Sequence, residues 1–214
     1  MLKRLLMPAK RILKLFLVLS VGYLAYLVYQ AHSVDFIREA TVKVTRVGQE
    51  GNGSGVCISP TRVLTAEHVV DGNQMLINGK EARVYRTSKK YDLALLTVPG
   101  LDCKPIKLAS SLPSVDEAIA IVGFPVNSRV KAQYVTYGHV QGNLPEDFRT
   151  ATSAPVFLGN SGGGMFTRTV LGWRLNGILV EGYGHCSLFG GCSFISHLSR
   201  VVDVEAIKLF MVND

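Results

Sequence analysis

No aspartate or glutamate occurs before Asp35, although Lys3, Arg4, Lys10, Arg11 and Lys14 all lie in that stretch. The chain of 214 residues carries a formal charge of +7, and those five side chains leave only +2 for everything after them. A nucleic-acid binder gathers its basic residues on the folded domain, so this distribution argues against a nucleic-acid partner. A basic flank ahead of a near-neutral domain describes it better. The four cysteines include no C-x-x-C pair, which leaves a metal site without support, and nothing implies a cofactor. There is also no internal repeat.

The basic flank is followed by an uncharged run, Leu15 to Ala31. At about 1.5 Å per helical residue, this run and its flanks can cross a hydrocarbon core of about 30 Å. Lys14 can snorkel to one surface, and Tyr26 and Tyr29 suit the other interface. The positive flank favours the cytoplasm, which sends the rest of the chain to the extracytoplasmic side. A cleaved signal peptide is the rival reading, with Ala31-His32-Ser33 as a small-x-small site. The run exceeds a usual signal core, so a retained single-pass anchor is preferred. Residues 1–33 are therefore read as flank and membrane segment, and 34–214 as one domain.

Val34 to Ala40 reads as a short helix or tether. Short β-runs follow, separated by turn signals such as Gly51-Asn52-Gly53, Asp71-Gly72-Asn73 and Asn78-Gly79. Strands are predicted at 41–47, 55–59, 62–65, 75–77, 81–85 and 93–98, enough for one small barrel. After an irregular crossing segment, a second set is predicted at 118–122, 133–140, 165–167, 172–180 and 192–195. His197 to Val212 has helical spacing at Val201, Val204, Ile207, Phe210 and Met211. Cys186 and Cys192 flank a glycine-containing loop and are expected to bridge it. Cys57 reads as a buried small hydrophobe, and the partner of Cys103 cannot be deduced.

Three segments carry the chemistry. Gly159-Asn160-Ser161-Gly162-Gly163 offers a serine in a glycine-rich turn. Thr65-Ala66-Glu67-His68-Val69-Val70 offers a histidine, and Asp92-Leu93-Ala94-Leu95-Leu96 an aspartate. A serine hydroxyl is a poor nucleophile at neutral pH. An imidazole must take its proton, and a carboxylate must hold that imidazole in the right tautomer. Gly159-x-Ser161-x-Gly163 also satisfies the nucleophile elbow of α/β-hydrolases, but there the acid and the histidine come after the serine. The order His68, Asp92, Ser161 favours the two-barrel peptidases instead.

With Gly53-Ser54-Gly55-Val56 and the weaker Ser193-Phe194-Ile195-Ser196, these motifs span residues of about 40 to 210. Together they resemble a chymotrypsin/trypsin-fold serine protease of the HtrA-like (Deg-type) branch. Glu67 and Gly164 depart from the usual pattern, which has alanine at the first position and proline or alanine at the second. The resemblance implies an all-β fold of two six-stranded β-barrels with a C-terminal helix, here behind an N-terminal transmembrane helix. It implies a serine endopeptidase with Ser161 as nucleophile, His68 as general base and Asp92 as its orienting acid. The amides of Gly159 and Ser161 would form the oxyanion hole. Polypeptides would be the substrates, protein quality control the setting, and a homo-oligomer the assembly. The chain ends too soon after its last helix to hold the PDZ domain that such proteins commonly append.

The substrate pocket is expected between Pro155-Val156-Phe157-Leu158 and Ile178-Leu179-Val180. Phe157, Leu158, Ile178, Leu179 and Val180 are its candidate lining, and no charge there would pair a charged substrate side chain. Asn160 is neutral where zymogen-type relatives have an aspartate, so no N-terminal cleavage is expected, and hydrogen bonds of Asn160 are expected to set the oxyanion loop. The alternative reading is a catalytically slow protease-like domain kept for binding.

Overall fold

The computed structural model describes residues 9–48, 50–70, 74–126, 132–187 and 191–212; for 9–11, 184–187 and 191–197 it describes the backbone alone. A long helix α1 (Ala9–His32) leads into a short helix α2 (Val34–Ala40). The Ser33 hydroxyl caps α2 by accepting from the Asp35 amide at 3.2 Å.

Six strands then close into an antiparallel barrel: β1 (Thr41–Arg46), β2 (Asn52–Ser59), β3 (Arg62–Thr65), β4 (Met75–Ile77), β5 (Lys80–Ser88) and β6 (Leu93–Thr97). The order around it is β1-β2-β3-β6-β5-β4. Asn78 and Gly79 join β4 to β5 with φ of 49° and 81°. Two successive positive φ values are what a tight hairpin turn needs, and Asn-Gly supplies them at low cost. In β6, Leu93, Ala94, Leu95 and Leu96 are all buried, so it reads as an unbroken apolar run.

The second barrel has β7 (Ala118–Gly123), β8 (Tyr134–Leu144), β9 (Arg149–Thr152), β10 (Gly164–Thr169), β11 (Gly172–Ser187) and β12 (Gly191–Asp203), ordered β10-β11-β12-β9-β8-β7. Ile119, Ile121, Val140, Ala154, Val156, Met165, Leu179 and Val201 pack together in it. A larger core fills the first barrel and continues to Ile37 of α2 and to Ile207 and Phe210 of the last helix, α3 (Val204–Val212).

Two expectations need correction. The five strands read for the second barrel omit β9. Its inward positions, Thr150 and Thr152, are buried polar groups rather than apolar ones. Their hydroxyls bond Asn143 Oδ1 at 2.8 Å and Ser199 Oγ at 3.0 Å, so the interior is satisfied without a hydrophobic alternation to read. The last helix also starts at Val204, not His197. Residues 199–202 pair with β9 as strand. Asp203 then caps the helix, its Oδ1 accepting the amides of Glu205 and Ala206 at 3.0 and 2.9 Å. Burial pushes the Asp203 carboxyl above the ordinary range, and those two amides partly offset the rise.

The cysteine reading changes too. Cys57 is buried, but it is half of a disulfide with Cys103, 46 residues away. This bridge ties β2 to the segment that crosses between the barrels. Cys186 and Cys192 stand opposite each other in the β11–β12 register, but their expected bridge lies outside the described residues, since only their backbone is described. Closing the Cys57–Cys103 ring, with its separation of 46 residues, is worth about 4 kcal/mol at most in the loop-entropy model. Cys103→Ser should therefore lower the free energy of unfolding by about 2–4 kcal/mol against the oxidised protein. A denaturant melt with an unchanged midpoint would contradict this.

Candidate active site

β3 delivers the chain to a single 3₁₀ turn, Glu67–Val69. Val69 and Val70 are buried behind it, while the His68 side chain is 45% exposed. Asp92 stands just ahead of β6 in the left-handed region, with φ of 56°. Aspartate tolerates that conformation better than most residues. Its carboxylate accepts the His68 backbone amide at Oδ1 (3.0 Å) and meets the ring Nδ1 at Oδ2 (2.8 Å). This two-point grip places the ring proton on Nδ1 and leaves the Nε2 lone pair free to act as a base.

The Asp92 hydrogen bond is the main cause that lifts the His68 pKa above its ordinary 6.5; burial opposes it, the charges of Asp92 and Glu67 add to it, and Arg46 opposes weakly. A base works only when neutral, so the acid limb of kcat/KM should fall above pH 6.5. Glu67→Gln removes a charge that favours imidazolium, and it should move that limb to lower pH. A pH–rate profile that stayed put, or moved to higher pH, would contradict this role of Glu67.

The serine loop sits between the barrels and draws on both. Asn160 N donates to Phe157 O at 3.0 Å, closing a turn whose third residue, Gly159, has φ of 91°. A Cβ at Gly159 would also stand 2.6 Å from Phe124 O and from Val126 N, so glycine is required twice over. Gly162 is equally constrained, with φ of 83° and its open face against Ser54 O and the Thr65 hydroxyl. The Leu158 carbonyl accepts from Val126 N at 2.6 Å. In a planar trans peptide the N–H points opposite the C=O, so this bond turns the Gly159 amide away from Val126. The Asn160, Ser161 and Gly163 carbonyls are taken by Gly163 N, Ser54 N and Leu179 N at 2.8 Å each. The amides of Gly159 and Ser161, in contrast, donate to nothing among the described residues. Two free, rigidly held N–H groups beside a serine are suited to receive an oxyanion.

Gly53 lies between the histidine segment and the serine loop. A Cβ there would meet Val69, next to His68, and would lie 3.3 Å from Ser161 O. Among the described residues the Ser161 hydroxyl makes no hydrogen bond with His68. Ligand-free peptidase sites often hold that contact long and tighten it when substrate enters.

Ser54 was part of a motif in the sequence, but nothing there assigned it a task. It is fully buried, donates its hydroxyl to Gly159 O at 2.8 Å and accepts Phe124 N at 2.8 Å. One side chain thus fixes the Gly159 carbonyl to the end of β7. The hydrogen bonds of Asn160 in this loop are made by its backbone, while its buried Oδ1 has no partner among the described residues. Ser54→Ala leaves an amide and a carbonyl unpaired, which costs about 1–3 kcal/mol for each group. Its kcat should fall more than its KM changes, because the loop and not the substrate pocket loosens. Kinetics together with a thermal melt would measure both effects, and wild-type kcat would contradict the assignment.

Of the five predicted pocket residues, the structure leaves surface on only some. Phe157 and Leu158 are 42% and 70% exposed, and Phe157 packs edge-on against Tyr134. Ile178 is fully buried in the larger core, and Leu179 faces the interior of the second barrel. Strand alternation points these two to opposite faces of β11, and both faces are covered, so neither side chain has surface to offer a ligand. Val180 is nearly buried at 7%.

Residues 53–178 match the family model described as a trypsin-like peptidase domain, which is more than half of the chain. The chain belongs to the trypsin-like peptidase family. Within it the peptidase is of HtrA type: it is 29% identical over 185 residues to Protease Do-like 4, mitochondrial, from Arabidopsis thaliana. That alignment takes in 70% of this chain but 34% of the relative, so the peptidase spans about a third of the length of that curated relative. The serine endoprotease from Yersinia pestis has the same fold, with a TM-score of 0.67 at 24% identity over 86% of this chain and 65% of that one. So does the active form of the Rv3671c protease from M. tuberculosis, with a TM-score of 0.66 at 20% identity over 83% of this chain and 82% of that one.

Proposed function

We propose that this peptidase is a membrane-anchored serine endopeptidase that cuts unfolded polypeptides by way of an acyl-enzyme. Ser161 attacks the scissile carbonyl. His68 Nε2 takes its proton and later returns it to the leaving amine. Asp92 holds the ring and stabilises the imidazolium. The amides of Gly159 and Ser161 receive the oxyanion of the tetrahedral intermediate. The observation that carries this reading is the Asp92 grip on His68 beside a serine loop with two unengaged amides.

The substrate side chain before the scissile bond would lie against Phe157, Leu158 and the edge of Val180. An apolar wall without a counter-charge disfavours a charged side chain, because burying an unpaired charge is costly. Small or medium apolar residues are therefore the preferred substrate class. Residues 1–33 form the basic flank and anchor, and 34–214 the protease domain. The span Ile12–His32 has a mean hydropathy of 2.0 and is not buried by the rest of the chain. The Cys57–Cys103 bridge supports an oxidising, extracytoplasmic setting for the barrels. Resemblance to a Do-like protease supports work in protein quality control.

The test uses the full chain in detergent with unfolded casein and a peptide library, alongside Ser161→Ala. Cleavage after apolar residues that disappears in the variant is expected. Equal turnover by both forms, or a preference for arginine, lysine or glutamate, would overturn the reading.

A further inference from the structure

The C-terminal end of α1 does not hang free of the barrels. It is docked on the β10–β11 hairpin of the second one. The His32 carbonyl accepts from Arg168 at 3.0 Å and from the indole N–H of Trp173 at 3.2 Å. The His32 ring Nε2 lies 3.1 Å from Thr169 O. The backbone of Gly172 lies so close to Ala31 that a Cβ there would stand 2.5 Å from the Ala31 carbonyl oxygen. The hairpin and the last turn of the apolar helix are thus one packed unit.

At the tip of this hairpin stand Val170 and Leu171, 91% and 73% exposed. Val170 is the most exposed of the large apolar residues among those described. The tip is also held in shape: the Thr169 hydroxyl donates to Gly172 O at 2.8 Å and accepts Leu171 N at 3.2 Å. Arg168 and Arg174 flank it, and the Arg168 guanidinium lies 5.7 Å from the Trp173 ring centre. Trp173 itself is buried, 6% exposed, and braces the hairpin against α1 from inside. A rigid apolar tip flanked by two guanidiniums has the chemistry of a membrane–water interface: the apolar side chains enter the acyl boundary, and the cationic groups stay at headgroup level.

We infer that the Val170–Leu171 tip is a second membrane contact, inserted into the outer interface of the same bilayer that α1 crosses. This inference rests on the anchor reading above. The occupant is a lipid surface because the tip is continuous with the one long apolar helix described and shares its exit level. The consequence is a fixed posture. Ser161 lies just before β10, and the tip lies at the other end of that strand, so at about 3.3 Å per residue the cleft stands roughly 20 Å from the lipid surface. Two contacts, helix and tip, keep the barrels from pivoting on the short α1–α2 junction and hold the cleft toward solvent.

Trp173 is the only tryptophan in the chain, which makes the test direct. The full chain is reconstituted into phosphatidylcholine vesicles in three forms: wild type, Leu171→Trp in a Trp173→Phe background, and that second form with Val170→Glu added. Flotation with the vesicles reads the anchor. Quenching by lipids brominated at defined depths reads the hairpin. The proposal expects the Leu171→Trp form to float, to emit at shorter wavelength than a water-exposed indole, and to be quenched most by bromines near the headgroup. Val170→Glu added to the Leu171→Trp, Trp173→Phe form should still float but lose about half or more of its quenching. A floating Leu171→Trp form with water-like, unquenched emission would overturn the tip contact and leave the anchor standing. A chain that fails to float would overturn the anchor and the tip contact together. Retained casein cleavage in detergent shows that each variant is folded.

Discussion

Ser161→Ala and His68→Ala should each lower kcat by about 10⁶-fold, and the double variant should be little worse than either. In the proposed mechanism the serine and the imidazole act as one unit, since without a base the hydroxyl stays protonated and without the hydroxyl the base has nothing to activate. The remaining rate would come from the Gly159 and Ser161 amides and from substrate binding. Both variants should keep wild-type melting midpoints. Ser161 is bound into the loop by its backbone, and His68 is half exposed, so neither side chain holds the fold together. Steady-state kinetics on a fluorogenic peptide with an apolar residue before the cut would measure the loss. Losses that multiplied in the double variant would contradict the shared mechanism.

Asp92→Asn should lower kcat by about 10⁴-fold at neutral pH. The substitution keeps the shape, but its amide group can donate to Nδ1. The ring proton then moves to Nε2, and the base points its proton, not its lone pair, at Ser161. The Asp92 carboxylate also raises the His68 pKa, both through its hydrogen bond and through its charge. Asp92→Asn should therefore move the acid limb of the pH profile downward as well as lower its plateau. Loss of the plateau without movement of the limb would mean that Asp92 positions the ring but does not tune it. The left-handed backbone at residue 92 suits asparagine as well as aspartate, so the variant should fold.

The His68–Asp92 pair was legible in the sequence because its chemistry admits few residue types. A base, its orienting acid and a serine in a glycine turn had to appear in the order His68, Asp92, Ser161 that one architecture uses, and the role of Ser161 stands as the proposal. The first barrel was legible for a related reason, since Asn78-Gly79 marks the β4–β5 turn and β6 is an unbroken apolar run. What was not legible depends on contacts distant in sequence. Cys57 and Cys103 are 46 residues apart, and no local pattern joins them. Strand β9 turns threonines inward, so its burial rests on hydroxyl pairing that only its neighbours reveal. The start of α3 is set by Asp203, because the apolar spacing before it suits a strand pairing with β9 equally well. Ile178 and Leu179 read as pocket residues from their place in the chain, but β11 is covered on both faces, so one side chain enters the larger core and the other the second barrel. Ser54 acts across 105 residues on Gly159, and nothing local marks it.

Labelling with a fluorophosphonate bears most directly on the central claim, that Ser161 is a nucleophile activated by His68. The reagent attacks only a serine whose hydroxyl is already activated, and it needs no knowledge of the natural substrate. The full chain is treated in detergent, and the adduct is located by peptide mass mapping, with His68→Ala and Ser161→Ala treated in parallel. One phosphonyl group on Ser161 of the wild type, absent from both variants, is the expected result. A wild-type chain that stays unlabelled, or a label on Ser161 that survives His68→Ala undiminished, would contradict it.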